Sequence, residues 1–173
     1  MGAMEERGVE NPPLTVDRRW DEFDLDEVYA GIGALLSAED EQFRMEYEQL
    51  RLEIADPLSS AHRAWRKCDV TVVRAWIESR FEFAGESFTA VCARVREALL
   101  ELPEGRRIAV VTSGTPIGIC VGAALEVAPR HIMRLGAGFN SSFSEIDLRA
   151  GDPHVLSFNN VPHLQEERLR TLR

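Results

Sequence analysis

The chain has 173 residues, of which 45% are apolar, a length and composition typical of one globular domain with its own core. It carries 20 Lys and Arg against 29 Asp and Glu, which gives a formal net charge of −9. No Lys- or Arg-rich block is present, so nucleic acid is excluded as an expected partner.

The three cysteines are odd in number and lack the C-x-x-C spacing of a zinc site. Cys68, Cys92 and Cys120 are therefore expected to be reduced thiols of a cytoplasmic protein. No apolar stretch approaches the ~20 residues needed to cross a membrane, and no signal peptide opens the chain. We expect no membrane partner.

The first half of the chain predicts an extended start followed by helices. Residues 1–13 are polar and end in Pro12-Pro13, which indicates a flexible lead-in, with a short strand expected near 14–16. An acidic, aromatic turn then runs into a first helix. Ser37, followed by Asp40 and Glu41, has the pattern of a helix N-cap, so a second helix is predicted to start there.

The second half predicts a helix, a strand, a helix and a hairpin in turn. Gly85-Glu86-Ser87 opens a helix that Pro103 closes, and surface salt bridges explain its arginines Arg94 and Arg96. Its predicted apolar stripe consists of Phe88, Val91, Val95, Ala98 and Leu99. Residues 108–112 form a short β-branched apolar run, typical of a strand buried on both faces.

Pro116 suits the first turn of the next helix, predicted over 116–127. Alternating polar and apolar residues on either side of 150–153 then predict an antiparallel hairpin. Ser113 therefore stands at a strand-to-helix corner, where the N–H groups and positive dipole of a helix N-terminus attract anions. Ser113 is also expected to be a plain helix N-cap, a role that is compatible with phosphate binding and holds whichever function is correct. A G-x-S-x-G nucleophile elbow would need glycine at 111 and 115, where Val and Thr stand.

Four segments in this order resemble the second half of the histidine phosphatase superfamily, the phosphoglycerate mutase-like proteins. They are "RWDEFDLDEV" (19–28), "GESFTAVCARV" (85–95), "IAVVTSGTPI" (108–117) and "NSSFSEIDLRAGDPHVLSFNNVPHL" (140–164). The resemblance implies a three-layer α/β/α fold, truncated at its N-terminus with the first strands missing. It makes residues 1–173 one partial domain, in which 37–84 is a helical insert.

The resemblance also implies a phosphate site that works without a metal or other cofactor. Glu22 would protonate the leaving group, and Ser113 would stand at the second catalytic position, where most members have histidine and one subgroup has T-S-G. Gly114, Thr115 and Asn140 would bind phosphate together with Ser113. A hydroxyl supplies a neutral bond of about 0.5–1.5 kcal/mol where an imidazolium supplies about 1.5–3 kcal/mol, so phosphate capture should be weaker.

Departures from the family leave three functions open. No R-H-G triplet, the family's phosphate-accepting motif, occurs in the chain. The first hypothesis is phosphoester hydrolysis or phosphoryl transfer on a small phosphorylated substrate in a longer form, with this chain inactive alone. The second is a non-catalytic binding or regulatory module that covers the open edge of 108–112 by forming a homodimer, binding a partner strand, or using residues 9–18. The third, a serine hydrolase, would combine Ser113 with one of the four histidines and with Glu22 or an Asp.

The acidic stretch around Glu22 has a structural interpretation as well. It would be a solvated acidic face from which Trp20, Phe23 and Leu25 point inward. Spacing alone favours the solvated acidic face over a catalytic role for Glu22, and the family resemblance makes the two interpretations equally favoured.

Overall fold

The computed structural model describes residues 12–56, 58–59, 66–136 and 138–172. In these ranges the α-helices are α1 (Leu25–Val28), α2 (Ala34–Glu39), α3 (Glu41–Ile54), α4 (Lys67–Ile77), α5 (Phe88–Leu100) and α6 (Gly114–Ala124). A π-helical segment, Tyr29–Gly33, joins α1 to α2 without a break. Short 3₁₀ turns cover Arg18–Trp20, Pro129–Leu135 and Glu167–Leu169. None of the described helices has both the length and the apolar character needed to cross a membrane.

One apolar core joins the helices. The predicted stripe of α5 is confirmed, since all five of its residues are buried. Trp76 of α4 lies at the centre, with its ring centroid 4.3 Å from that of Phe23 and 5.1 Å from that of Phe88. Its indole N–H donates to the Glu86 carbonyl at 2.9 Å, so the largest core side chain has no unsatisfied polar atom.

Two helix starts test the capping predictions. Helix α5 opens after 85–87 as predicted, and the structure adds that Ser87 is its N-cap, with the hydroxyl oxygen accepting the Ala90 N–H at 3.2 Å. The prediction for Ser37 is wrong, because Ser37 lies inside α2 and its hydroxyl donates to the Gly33 carbonyl at 2.7 Å. Asp40 caps α3 instead and accepts the Phe43 N–H at 3.0 Å. The chain is extended at Asp40, so that residue alone has the geometry of a cap.

The predicted hairpin is confirmed. Strands β1 (Phe143–Arg149) and β2 (Asp152–Asn160) pair antiparallel and form the one sheet of the described residues. The two turn residues, Ala150 and Gly151, have φ values of 52° and 77°. Positive φ at both central positions is the requirement of a tight type I′ turn, which matches the twist of the strands.

The predicted strand at 108–112 is not formed. These residues belong to no helix or strand, and no hydrogen bond among the described residues uses a backbone group of 106–112. Ile108, Val110 and Val111 are 43%, 38% and 96% exposed, so the expectation of burial on both faces is wrong. The physical reason is that neither of the described strands lies beside them to complete a ladder.

The strand expected near 14–16 is also absent. Leu14 and Val16 are 90% and 84% exposed, and residues 12–17 form no ladder with any described strand. The flexible lead-in predicted for 1–13 falls almost wholly outside the described residues. The predicted insert, 37–84, contains α3 and α4.

Candidate functional site

The N-terminus of α6 meets the acidic segment near the start of the chain. Ser113 is the N-cap residue by position, as predicted, but its side chain makes no capping hydrogen bond. A carboxylate oxygen of Glu22 accepts the Thr115 N–H instead, at 3.2 Å. Glu22, Ser113, Gly114 and Thr115, four of the five predicted site residues, therefore lie together.

The backbone before Glu22 is held at three successive carbonyls. The Arg94 guanidinium donates to the carbonyl oxygens of Arg19 at 2.8 Å and Asp21 at 2.7 Å. Between them, the Thr112 hydroxyl donates to the Trp20 carbonyl at 2.6 Å. Residues 20–22 therefore lie alongside 112–115, and this contact fixes Glu22 at the start of α6.

Arg94 is a residue whose role the sequence reasoning missed. It forms an ion pair with Glu86 at 2.7 Å, which raises the pKa of Arg94, and its side chain is only 19% exposed. Its interpretation as a surface salt bridge is therefore incomplete. The Arg-to-carbonyl bonds join positions more than seventy residues apart, and no local sequence signal marks such a contact.

The start of α6 is open and suited to an anion. Gly114 is exposed, and a Cβ built on it would meet nothing within 4 Å. The first turn of the helix contains no acidic residue, so its free N–H groups and the positive end of its dipole face a carboxylate supplied from elsewhere in the chain. A phosphate oxygen would satisfy the Thr115 N–H as the Glu22 carboxylate does.

Asn140 is not part of this cluster among the described contacts. Its side-chain amide donates to the Thr171 hydroxyl at 2.8 Å, and its backbone N–H donates to the Thr171 carbonyl at 2.8 Å. In the described part of the chain no hydrogen bond joins it to Glu22 or to the start of α6. The contacts of Asn140 anchor the C-terminal segment.

The structural interpretation of the acidic stretch holds in part. Phe23 is buried against Trp76 and Trp20 is half-buried, so both point inward as expected. Leu25 is 39% exposed, so that part of the expectation is wrong. Two inward aromatic residues flank the segment and leave the Glu22 carboxylate exposed between them.

No described histidine contacts Ser113. His154 lies 3.2 Å from Asp152, and the His163 ring stacks on Phe143 with 6.5 Å between ring centroids. Burial and two neighbouring arginines lower the pKa of His131, which lies in the 3₁₀ turn after α6. His62 lies outside the described residues. The described contacts therefore lack the imidazole base that a serine nucleophile needs.

Comparison with known families identifies the class of protein. Residues 40–161, more than half of the chain, match the model of the histidine phosphatase superfamily (branch 1). The chain belongs to this superfamily, and the prediction of an α/β fold is confirmed. The match contains Ser113, Gly114, Thr115 and Asn140, whereas Glu22 lies before it. No curated protein and no solved structure gave a significant match.

Proposed function

We propose that this chain carries one half of a phosphoester site, formed by Glu22 and the N-terminus of α6. The observation behind the proposal is the hydrogen bond from the Thr115 N–H to the Glu22 carboxylate. It puts a candidate proton donor beside a helix terminus suited to phosphate. Membership of the histidine phosphatase superfamily supports phosphoester chemistry at this point.

In the proposed reaction a phosphate group displaces the Glu22 carboxylate from the Thr115 N–H. The Ser113 hydroxyl and the Gly114 N–H add hydrogen bonds to the phosphate oxygens. Glu22 in its protonated form then gives its proton to the leaving oxygen as the ester bond breaks. The phosphoryl group passes to a histidine, and water or a second acceptor takes it from there.

The proposal takes that histidine from outside these 173 residues, and the lack of an R-H-G triplet in the sequence supports this. The proposed activity is hydrolysis or phosphoryl transfer in a longer form, on a small phosphorylated substrate. All three cysteines are buried and unpaired, which supports a cytoplasmic, reducing compartment.

A non-catalytic binding module is the second candidate function. The absence of the R-H-G motif favours it, and so does the uncovered apolar segment at 108–112. Such a module would keep the phosphate site as a weak anion site. Both candidate functions predict no turnover by this chain alone. Adding a histidine-bearing first half of the family's fold distinguishes them, because only the half phosphoester site should then show turnover.

Phosphate binding tests the proposed site. Inorganic phosphate is titrated into ¹⁵N-labelled chain, and the amide signals of Gly114 and Thr115 should move most. Ser113→Ala should weaken binding about 2- to 10-fold, since it removes a hydrogen bond of about 0.5–1.5 kcal/mol. Ser87→Ala, at the matched N-cap of α5, is the control and should leave the phosphate affinity unchanged. Equal affinities for the two variants would contradict the proposed site.

Turnover tests the position of the histidine. The chain alone should hydrolyse para-nitrophenyl phosphate no faster than buffer does. A rate above the blank that Ser113→Ala abolishes would place the whole reaction within this chain. That result would overturn the proposal of a half site.

A further inference from the structure

Four hydrogen bonds fix the guanidinium of Arg94. Its Nη1 atom donates to the backbone carbonyls of Arg19 and Asp21, on the stretch of chain that leads to Glu22. Its Nε and Nη2 atoms donate to the two carboxylate oxygens of Glu86, at 2.7 Å and 3.0 Å. A two-point pair of this kind sets the plane of the guanidinium as well as its position. The direction of Nη1 towards the two carbonyls therefore depends on Glu86.

Glu86 is held in turn by its backbone. Its carbonyl oxygen accepts the indole N–H of Trp76, which is buried in the core. Gly85, the residue before it, lies close against Glu27, since a Cβ built on Gly85 would come within 2.6 Å of the Glu27 Cδ atom. Ser87, the residue after it, is the N-cap of α5. The Glu86 carboxylate therefore projects from a backbone that is fixed on both sides.

The pair is more sheltered from water than an ordinary surface salt bridge. Arg94 is the least exposed arginine of the described ion pairs, with 19% of its side chain exposed, and the Glu86 side chain is 34% exposed. Exposed pairs stabilise a protein little, because water competes for both charges. Here the pair orients two further donors of the guanidinium onto backbone carbonyls, which is a task that a solvated pair does not perform.

We propose that Glu86 is a positioning residue for Glu22 and acts through Arg94. This role rests on the proposed function, in which Glu22 gives its proton to the leaving oxygen and must lie within hydrogen-bond reach of that oxygen. When phosphate displaces the Glu22 carboxylate, Arg94 keeps hold of the Asp21 carbonyl. The carboxyl group then moves by rotation of its own side chain alone. Without Glu86 the Arg94 guanidinium loses its fixed plane, and the backbone before Glu22 loses its anchor.

Hydrogen exchange at the Thr115 amide tests this positioning in the absence of phosphate. Glu86→Gln removes the charge and one of the two acceptor oxygens at nearly constant volume. It should quicken the exchange about 2- to 10-fold, the range expected when the hydrogen bond to Glu22 is lost. Glu82→Gln is the control, because it removes the same charge from an exposed position four residues earlier, and it should leave the rate unchanged. Equal exchange rates in the two variants would overturn the proposal.

A double variant tests the route through Arg94. The guanidinium is absent from Arg94→Met, so adding Glu86→Gln to that chain should not change the Thr115 exchange rate any further. If Glu86 acted on this amide by its charge alone, the second substitution would still quicken the exchange. A further increase in a double variant with wild-type circular dichroism would therefore overturn the proposed route.

Phosphate affinity supplies a readout at the site itself. Glu22 competes with phosphate for the Thr115 N–H, so Glu86→Gln should bind inorganic phosphate about twofold or more tightly than Glu82→Gln does. The gain should disappear when both chains also carry Glu22→Ala. A gain that persists without Glu22 would overturn the positioning role. Failure of every variant to bind phosphate would contradict the proposed function instead, and the exchange rates would still decide the role of Glu86.

Discussion

The helical core and the segment 106–112 use the same side chains with opposite results. Ile32, Val72 and Val91 are 0% exposed in the core, whereas Val111 is 96% exposed. A helix satisfies its backbone within itself and needs only a surface for its apolar stripe. A strand also needs a neighbour for its hydrogen bonds. The comparison shows that an apolar run with strand propensity forms a strand only where a neighbouring strand is present to pair with it.

The hairpin supports the same lesson from within the molecule. Strands β1 and β2 are each other's neighbours, and their tight turn holds them in register. Their apolar residues Ile146 and Leu148 pack against the helical core. The segment 106–112 has no such partner in the described structure, although its residues have higher strand propensity.

The largest expected effect comes from truncating the core. Trp76→Ala should lower the free energy of unfolding by about 3–5 kcal/mol, since it leaves a cavity between Phe23 and Phe88. Val111→Ala should change it by less than about 0.5 kcal/mol in the monomer, because its side chain is already in water. Urea unfolding at low protein concentration measures both values. Similar losses in the free energy of unfolding for the two variants would contradict the difference between the buried core and the exposed segment.

A pH dependence follows from the thiols buried in the core. Burial raises the pKa of Cys92 to about 11 and of Cys120 to about 12, from the usual 9.0. Unfolding exposes thiols that ionise above pH 9, so stability present below pH 9 falls as the pH rises through 11. The loss between pH 9 and 11 should be about 2 kcal/mol for each thiol, or about 4 kcal/mol for the two together, from a slope of up to ~1.4 kcal/mol per pH unit for each thiol.

Urea unfolding at each pH measures this slope, and Cys120→Ala should reduce it. Burial also raises the pKa values of the Tyr29 and Tyr47 phenols, so part of the pH dependence should remain in the Cys120→Ala variant. Stability that does not change from pH 9 to 11 would mean that the thiols reach solvent in the folded chain.

A smaller effect is expected where Arg94 of helix α5 contacts the backbone before Glu22. Arg94→Met removes the bonds to the carbonyls of Arg19 and Asp21 and should cost about 1 kcal/mol. Arg96→Met, two residues further along α5, is the control, because Arg96 is exposed. Hydrogen exchange should quicken at Thr115 in the first variant alone, since Glu22 loses its fixed position. Equal hydrogen-exchange rates at Thr115 in the two variants would show that Arg94 does not position Glu22.

Elements that depend on neighbouring residues could be predicted from the sequence. The opening Gly85-Glu86-Ser87 and the apolar stripe predicted helix α5, and the alternation around Ala150-Gly151 predicted the hairpin. Both signals lie within a few residues of the structure they specify. Ser113 at the start of α6 was predicted in the same way.

Features that depend on distant partners could not be predicted. The β-branched run 108–112 indicates strand propensity, but it does not show whether another strand is present to pair with it. Glu22 and Thr115 lie far apart in the chain, so the family resemblance and not spacing placed them in one candidate site, and their hydrogen bond itself was not predicted. No pattern in the sequence predicted the hydrogen bonds from the Arg94 guanidinium to the backbone carbonyls.

The central claim is that Glu22 occupies an anion site at the start of α6, and phosphate affinity tests it most directly. Glu22→Ala is compared with Asp26→Ala, which removes the same charge from an exposed position nearby. Glu22→Ala should bind inorganic phosphate several-fold more tightly, because it frees the Thr115 N–H and removes a competing carboxylate. Equal phosphate affinities for the two variants would contradict the claim.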